Sequence, residues 1–266
     1  MAAERTHNIQ PLLTRDYPRA VRAKGVFIYD ASGKFWIDGS SGAVTCSLGH
    51  SHPRITEAIR EQAERLHFVY RSQFGTAEAE NLAKRLTRIS PGGAYRHAFF
   101  VNSGTEAMET AMKIAWQHWS ESGQPSKRRF ITRRKSYHGI TVGALSLSGH
   151  PLRRKQFEDL LEPYPVLLAD PENDSVDRQL AELEQVVESI GAANIAAFVA
   201  EPLVGAAGAA IHPPPDYYSA VAACCRRHSI LFIADEVMTG LGRTGEWFGL
   251  NHWNTTADIC RSEAHV

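Results

Sequence analysis

Four short apolar runs, at His97 to Val101, Arg129 to Thr132, Ile195 to Ala200 and Ile230 to Ala234, alternate with longer amphipathic stretches. Runs of this length read as strands. The stretches Glu106 to Trp119, Val176 to Ile190 and Asp216 to His228 carry apolar residues at the helical period. Strands separated by whole helices cannot pair as tight hairpins, so the pattern predicts an α/β fold: a mainly parallel sheet with helices on both faces. In such sheets ligands gather at the carboxyl ends of the strands. Thr141 to Leu147 is left unassigned by its pattern.

Ahead of this region, Gly25 to Gly39 reads as a hairpin turning at Ser32-Gly33, which predicts a small N-terminal lobe over residues 1–75. Pro53 to His67 and Ala77 to Ile89 have helical spacing, with Pro53 suited to a first turn. The larger unit is expected over residues 76–266. Asp170 to Asp174 and Pro213 to Pro215 read as loops before helices.

The 29 basic and 29 acidic residues cancel, so no global field favours nucleic acid or an anionic membrane. The most apolar long stretch, Ile195 to Ile211, is interrupted by Glu201 and Pro202, and no membrane span is expected. The first ten residues lack the apolar core of a signal peptide. Four cysteines without CxxC spacing read as reduced thiols in a cytoplasmic protein.

Three groups of residues can carry chemistry. Ser103, Gly104 and Thr105 stand between HAFFV and a helix, where free first-turn amides, two hydroxyls and the positive end of the helix dipole suit a phosphate as well as an ordinary cap. Tyr137-His138-Gly139 offers an aromatic face for a planar heterocycle and a glycine that permits close approach. Glu201 follows IAAFVA and Asp235 follows ILFIA, so two carboxylates are carried to strand ends.

Other chemistries are poorly supported. LFIADE resembles the acidic strand end of a P-loop hydrolase, yet no G-x-x-x-x-G-K-[ST] precedes it. No G-x-G-x-x-G fingerprint for a dinucleotide follows a strand. His50 and His52 lack the further ligands of a metal site and read as a turn before Pro53. The basic run Lys127 to Lys135 is split by a strand, which argues against a nucleic-acid patch.

Taken in order, LGHSHP, NSGTEAMETAMKIA, SYHG, AEP and IADEVMTGLGRTG resemble the class III aminotransferases, a fold type I family using pyridoxal 5′-phosphate. The resemblance implies a phosphate turn at Ser103, Gly104 and Thr105, and a stacking Tyr137 with His138 and Gly139 completing its loop. It implies Asp235 as partner of the ring nitrogen, Val237 on the other ring face, and Glu201 as an acid near substrate and cofactor. It further implies an amino donor, a 2-oxo acid acceptor and a homodimer in the full-length form. A buried carboxylate suits the ring nitrogen because a neighbouring anion favours its protonated form.

One position departs from the family. Members carry a Schiff-base lysine about thirty residues beyond the ring-nitrogen acid, acting as nucleophile and base. Here that stretch reads ADICRSEAHV, and the last lysine is Lys155. The resemblance predicts an apolar strand after Asp258, whereas Cys260 to Val266 turns polar. The expectation is therefore an incomplete large domain, no C-terminal domain and no catalytic residue: a truncated or frame-shifted aminotransferase, inactive by itself. A lysine-less cofactor-binding or dimer-regulating protein, and half of a split enzyme, are the alternatives. Trp36, Tyr70 and Phe74 are candidate pocket aromatics for an ω-amine or β-amino acid donor, with pyruvate or 2-oxoglutarate as acceptor. Amino-group migration on the same scaffold also remains open.

Overall fold

The computed structural model describes residues 7–12, 14–163, 165–170 and 175–263. The chain divides into a first compact unit, up to Phe74, and a second from Gly75 onward.

In the first unit, β1 (Ala20–Lys24), β2 (Phe27–Asp30) and β3 (Phe35–Ile37) form an antiparallel meander in that order. The hairpin expected at Gly25 to Gly39 is β2–β3, and β1 is a third strand that the alternation did not reveal. Asp30 pins the turn by accepting from Ser32 N at 2.9 Å, Ser32 Oγ at 2.6 Å and Trp36 Nε1 at 2.9 Å. A single turn, α1 (Ser41–Val44), precedes α2 (Pro53–Arg65), whose first residue is the expected proline. His50 is held by Asp38 Oδ2 at 2.9 Å and Cys46 Sγ at 3.5 Å.

The second unit opens with α3 (Ala77–Ile89), capped by Thr76, and continues with α4 (Gly104–Glu121) and β4 (Arg129–Arg133). Then follow α5 (Val142–Leu147), α6 (Pro151–Arg154), β5 (Pro165–Leu168), α7 (Val176–Ile190) and β6 (Ile195–Ala200). The described part ends with α8 (Tyr217–Arg227), β7 (Leu231–Asp235) and β8 (Ile259–Arg261). The unassigned stretch is thus the helix α5, started by Thr141 Oγ1, which accepts from Ala144 N.

The strands form one parallel sheet in the order β5-β4-β6-β7-β8. Successive side chains of a strand point to opposite faces, and here they sort into two cores. Ile131, Phe198, Ala200, Phe232 and Ala234 pack with Leu183, Val187, Tyr218 and Val221 of α7 and α8. Phe130, Ala197, Val199 and Ile233 pack with Met108, Met112 and Ala144 of α4 and α5. Burial on both faces explains why the strands read as continuous apolar runs. Tyr218 stacks on Phe232 with ring centroids 5.8 Å apart and planes 10° from parallel. Fully burying each such ring contributes roughly 2–3 kcal/mol.

Three expectations need correction. His97 to Val101 is not a strand: it belongs to neither sheet, and Phe99 and Phe100 are exposed. An apolar run becomes a strand only where a neighbour completes its hydrogen bonds. Conversely, the polar character from Cys260 onward does not prevent a strand after Asp258, because Ile259, Cys260 and Arg261 pair in register with Ile233, Ala234 and Asp235. The strand β5 was missed because Pro165 masks its start, although proline is tolerated at the first residue of an edge strand. Residues 171–174 of the expected loop and 264–266 of the C-terminal stretch lie outside the described residues.

The two ends of the sheet differ. At the amino end Lys127, buried, donates Nζ to the carbonyls of Ala192 (2.8 Å), Ile195 (3.3 Å) and Ser229 (2.7 Å). Trp119 Nε1 ties α4 to Ala196 O at 2.8 Å. The carboxyl end carries the acids.

Candidate functional site

At the carboxyl end, β7 delivers Asp235 and β6 leads directly into Glu201, both nearly inaccessible to solvent. A buried carboxylate requires partners, and each finds different ones.

Asp235 Oδ2 accepts from His138 Nδ1 at 2.7 Å and from the Arg261 guanidinium at 2.6 Å, while Oδ1 accepts from Val237 N at 3.3 Å. Burial pushes this carboxyl upward, but the charge of Arg261 and the bond from His138 outweigh it and hold the acid below its usual range. An ionised carboxylate only accepts, so the His138 proton sits on Nδ1 and Nε2 is left to accept from Thr132 Oγ1 at 3.2 Å. Burial holds the His138 pKa below its usual value, against the pull of Asp235. The neutral ring is therefore a fixed strut between β4 and β7.

Glu201 accepts from Tyr137 N and Gly205 N, both at 2.9 Å, and so fixes the loop that carries Tyr137. Burial and then the nearby negative charge of Asp235 raise its pKa above the ordinary carboxylate range. The Tyr137 ring is half-buried, with the Arg153 guanidinium 4.3 Å from its centroid.

Ser103 caps α4, its Oγ accepting from Glu106 N at 3.2 Å, and Glu106 in turn accepts from Asn102 N at 2.7 Å. The amides of Gly104 and Thr105 fall in the first helical turn, where no intrahelical acceptor exists. Thr105 Oγ1 accepts from Ile140 N at 3.2 Å, joining the Tyr137 loop to the helix start. Gly139 fits between them at φ +142°: a Cβ there would stand 2.5 Å from Thr105 Oγ1 and 2.8 Å from Ala144 Cβ. Val237 is half-buried beside Gly104, where an added Cβ would lie 3.4 Å from Val237 Cγ2.

The structure thus joins His138, Asp235 and Val237 directly, links them to Gly104 and Thr105 through Arg261 and Ile140, and couples Glu201 to them through Tyr137. Trp36, Tyr70 and Phe74 belong to the first unit, and the Trp36 indole is committed to Asp30. Sequence reasoning missed Arg261. Its Nη1 donates to His138 O at 2.9 Å and also to Gly104 O. The available signal was a lone cation in the short run that follows the Asp235 strand, but only the strand register sets it opposite the acid. Glu236, also missed, is a structural acid accepting from Gly249 N at 2.8 Å and Leu250 N at 2.9 Å.

Among the described residues one side-chain group, Glu184, Cys224 and His228, has the atoms to approach a metal ion. Glu184 is already paired with Arg227 and, at 2.6 Å, with His228. No helix among the described residues is long and apolar enough to cross a membrane.

A family profile described as Aminotransferase class-III matches residues 14–263. The uncharacterized aminotransferase YodT of Bacillus subtilis strain 168 is 51% identical over 259 residues, covering 94% of this chain and 58% of that protein. An (S)-enantioselective ω-transaminase from Thermomicrobium roseum superposes with a TM-score of 0.89 at 37% identity, covering 96% of this chain and 60% of that one. An amine transaminase from an uncultivated Pseudomonas species, solved in its PLP-bound form, superposes with a TM-score of 0.87 at 32% identity, covering 93% and 58%. The chain therefore spans less than two thirds of the length of these proteins. Family and PLP-bound neighbour together indicate pyridoxal phosphate as the cofactor.

Proposed function

We propose that this chain, which belongs to the class-III aminotransferase family, supplies the cofactor cradle of an enzyme moving an amino group from an amino acid or ω-amine to a 2-oxo acid. The observation that carries this reading is the buried Asp235, braced by His138, whose loop is tied to the first turn of α4 by the bond from Ile140 N to Thr105 Oγ1. The names ω-transaminase and amine transaminase on the two solved structures support the donor class. A homodimer in the full-length form and a cytoplasmic setting belong to the same reading, the latter supported by four free cysteines, two of them buried.

The residues suit pyridoxal phosphate. The amides of Gly104 and Thr105, with Ser103 at the cap, would hold the phosphate at the positive end of α4. Asp235, which accepts from His138 and stays ionised beside a cation, would favour a proton on the ring nitrogen. Tyr137 and Val237 would pack against the ring. His138 keeps the Asp235 carboxylate from rotating, and Glu201 fixes the Tyr137 loop and borders the substrate side. When bound, the cofactor supplies the electron sink that labilises a bond at the amine-bearing carbon.

No lysine follows Lys155, and the one buried lysine among the described residues, Lys127, lies at the opposite end of the sheet. Residues 1–266 accordingly hold the cofactor without a covalent bond and do not complete a turnover by themselves. Adding pyridoxal phosphate should give a bound visible absorbance that borohydride does not fix to a single lysine. One stoichiometric, reduced lysine adduct found by mass spectrometry would refute this part. Loss of binding in Asp235→Asn would support the seat, and unchanged binding would refute it.

A further inference from the structure

We infer that Arg261 is a built-in occupant of the cation seat on Asp235, so that its guanidinium and the cofactor's ring nitrogen exclude one another. The inference rests on the reading of Asp235 as the ring-nitrogen acid and goes beyond it by making entry of the ring conditional on withdrawal of Arg261.

The strand register places Arg261 opposite Asp235 across the β7–β8 ladder. From there the guanidinium reaches three parts of the cradle at once. One nitrogen meets Asp235 Oδ2 at 2.6 Å, and the other donates to His138 O at 2.9 Å and to Gly104 O in the first turn of α4. It therefore bridges the acid, the loop of the stacking tyrosine and the phosphate turn. Asp235 Oδ2 takes the His138 Nδ1–H and Arg261, while Oδ1 takes the Val237 N–H at 3.3 Å, so what the acid has only one of is its charge. A second cation on this carboxylate would leave a positive charge buried without an anion. The acid can neutralise the guanidinium or a pyridinium, not both.

The seat also fits the guanidinium incompletely. Arg261 is 6% exposed, yet its Nε has no hydrogen-bond partner. A fork with five donors, one of them buried and idle, is held by its charge more than by its shape. A ligand that brings its own cation to Asp235 and its phosphate to the α4 amides offers the acid an equivalent partner, so exchange is available at the cost of exposing Arg261.

Pyridoxamine 5′-phosphate is the probe, because it has no aldehyde to condense with surface lysines. The 266-residue chain is treated with phenylglyoxal, which modifies accessible guanidinium groups, and the Arg261 peptide is followed by mass spectrometry. Protection without the probe and modification with it are expected; a probe that binds while Arg261 stays protected would overturn the inference. Arg261→Met should bind the probe at least about ten-fold more tightly, the factor of one charge-assisted hydrogen bond. Equal or weaker binding by a folded variant would overturn it. If this variant does not fold, ethylguanidinium added to Arg261→Ala should restore its cooperative melting, and the probe should then displace it; rescue that the probe leaves undiminished would overturn the inference. Absence of probe binding to the unaltered chain and to every folded variant, with inorganic phosphate also failing to stabilise them, would instead overturn the cradle itself.

Discussion

Asp235→Asn removes a charge and almost no volume. It leaves the Arg261 guanidinium buried against the carbonyls of Gly104 and His138 without a counter-ion. Removing one partner of a buried pair costs about 3–5 kcal/mol. The depression of the Asp235 pKa from 3.8 to about 2 has the same sign. The expected loss is about 3 kcal/mol at neutral pH. The sign follows from the folded acid being the stronger one. Its stabilisation is fully present above pH 3.8, is lost as pH falls through about 2, and is absent from the asparagine chain at every pH. The gap between the two chains should therefore be constant from pH 7 down to about 4 and narrow below it. Urea unfolding followed by tryptophan fluorescence at several pH values measures that gap. A difference under about 1 kcal/mol at pH 7, the scale of an exposed ion pair, would refute the claim that the pair is buried and mutually required.

Glu201→Gln should act in the opposite pH range. The Glu201 pKa is raised from 4.5 to about 8, so its contribution is present below pH 4.5 and lost as pH rises through about 8; the glutamine chain should lose less stability over that span, and parallel urea midpoints from pH 5 to 9 would contradict this. Gly139→Ala forces a Cβ against Thr105 and Ala144 at a φ of +142°, with an expected cost of about 2–4 kcal/mol in thermal unfolding; a change in Tm under a degree would count against the close approach. Thr132→Val strands His138 Nε2 and should cost about 1–3 kcal/mol by urea denaturation; a neutral effect would show that the bond is not needed. Tyr137→Ala should weaken pyridoxamine phosphate binding about ten-fold through loss of ring contact, as read by fluorescence titration, and an unchanged Kd would remove Tyr137 from the cradle.

Much of the fold was legible because burial on both faces makes parallel strands continuously apolar. IAAFVA and ILFIA announced themselves as β6 and β7, and the acids behind them as strand-end residues. The Ser103 cap was legible for another local reason: a polar residue followed by a first-turn glutamate needs only its own helix to act. His97 to Val101 misled by the same criterion, since apolarity marks what would be buried in a strand but does not supply the neighbour that makes one. His138 could be singled out as part of a loop, but its role as a strut depends on Thr132 and Asp235, which come from different strands.

Local pattern alone determined the helix and strand periods, the caps and the family likeness, because each depends on residues a few positions apart. The tertiary structure decided which cation neutralises Asp235. Nothing in ICR distinguishes an arginine at a strand end from one committed to a buried acid. The choice follows from the parallel register that sets Arg261 across from Asp235, and from a buried setting in which a carboxylate must find a positive partner.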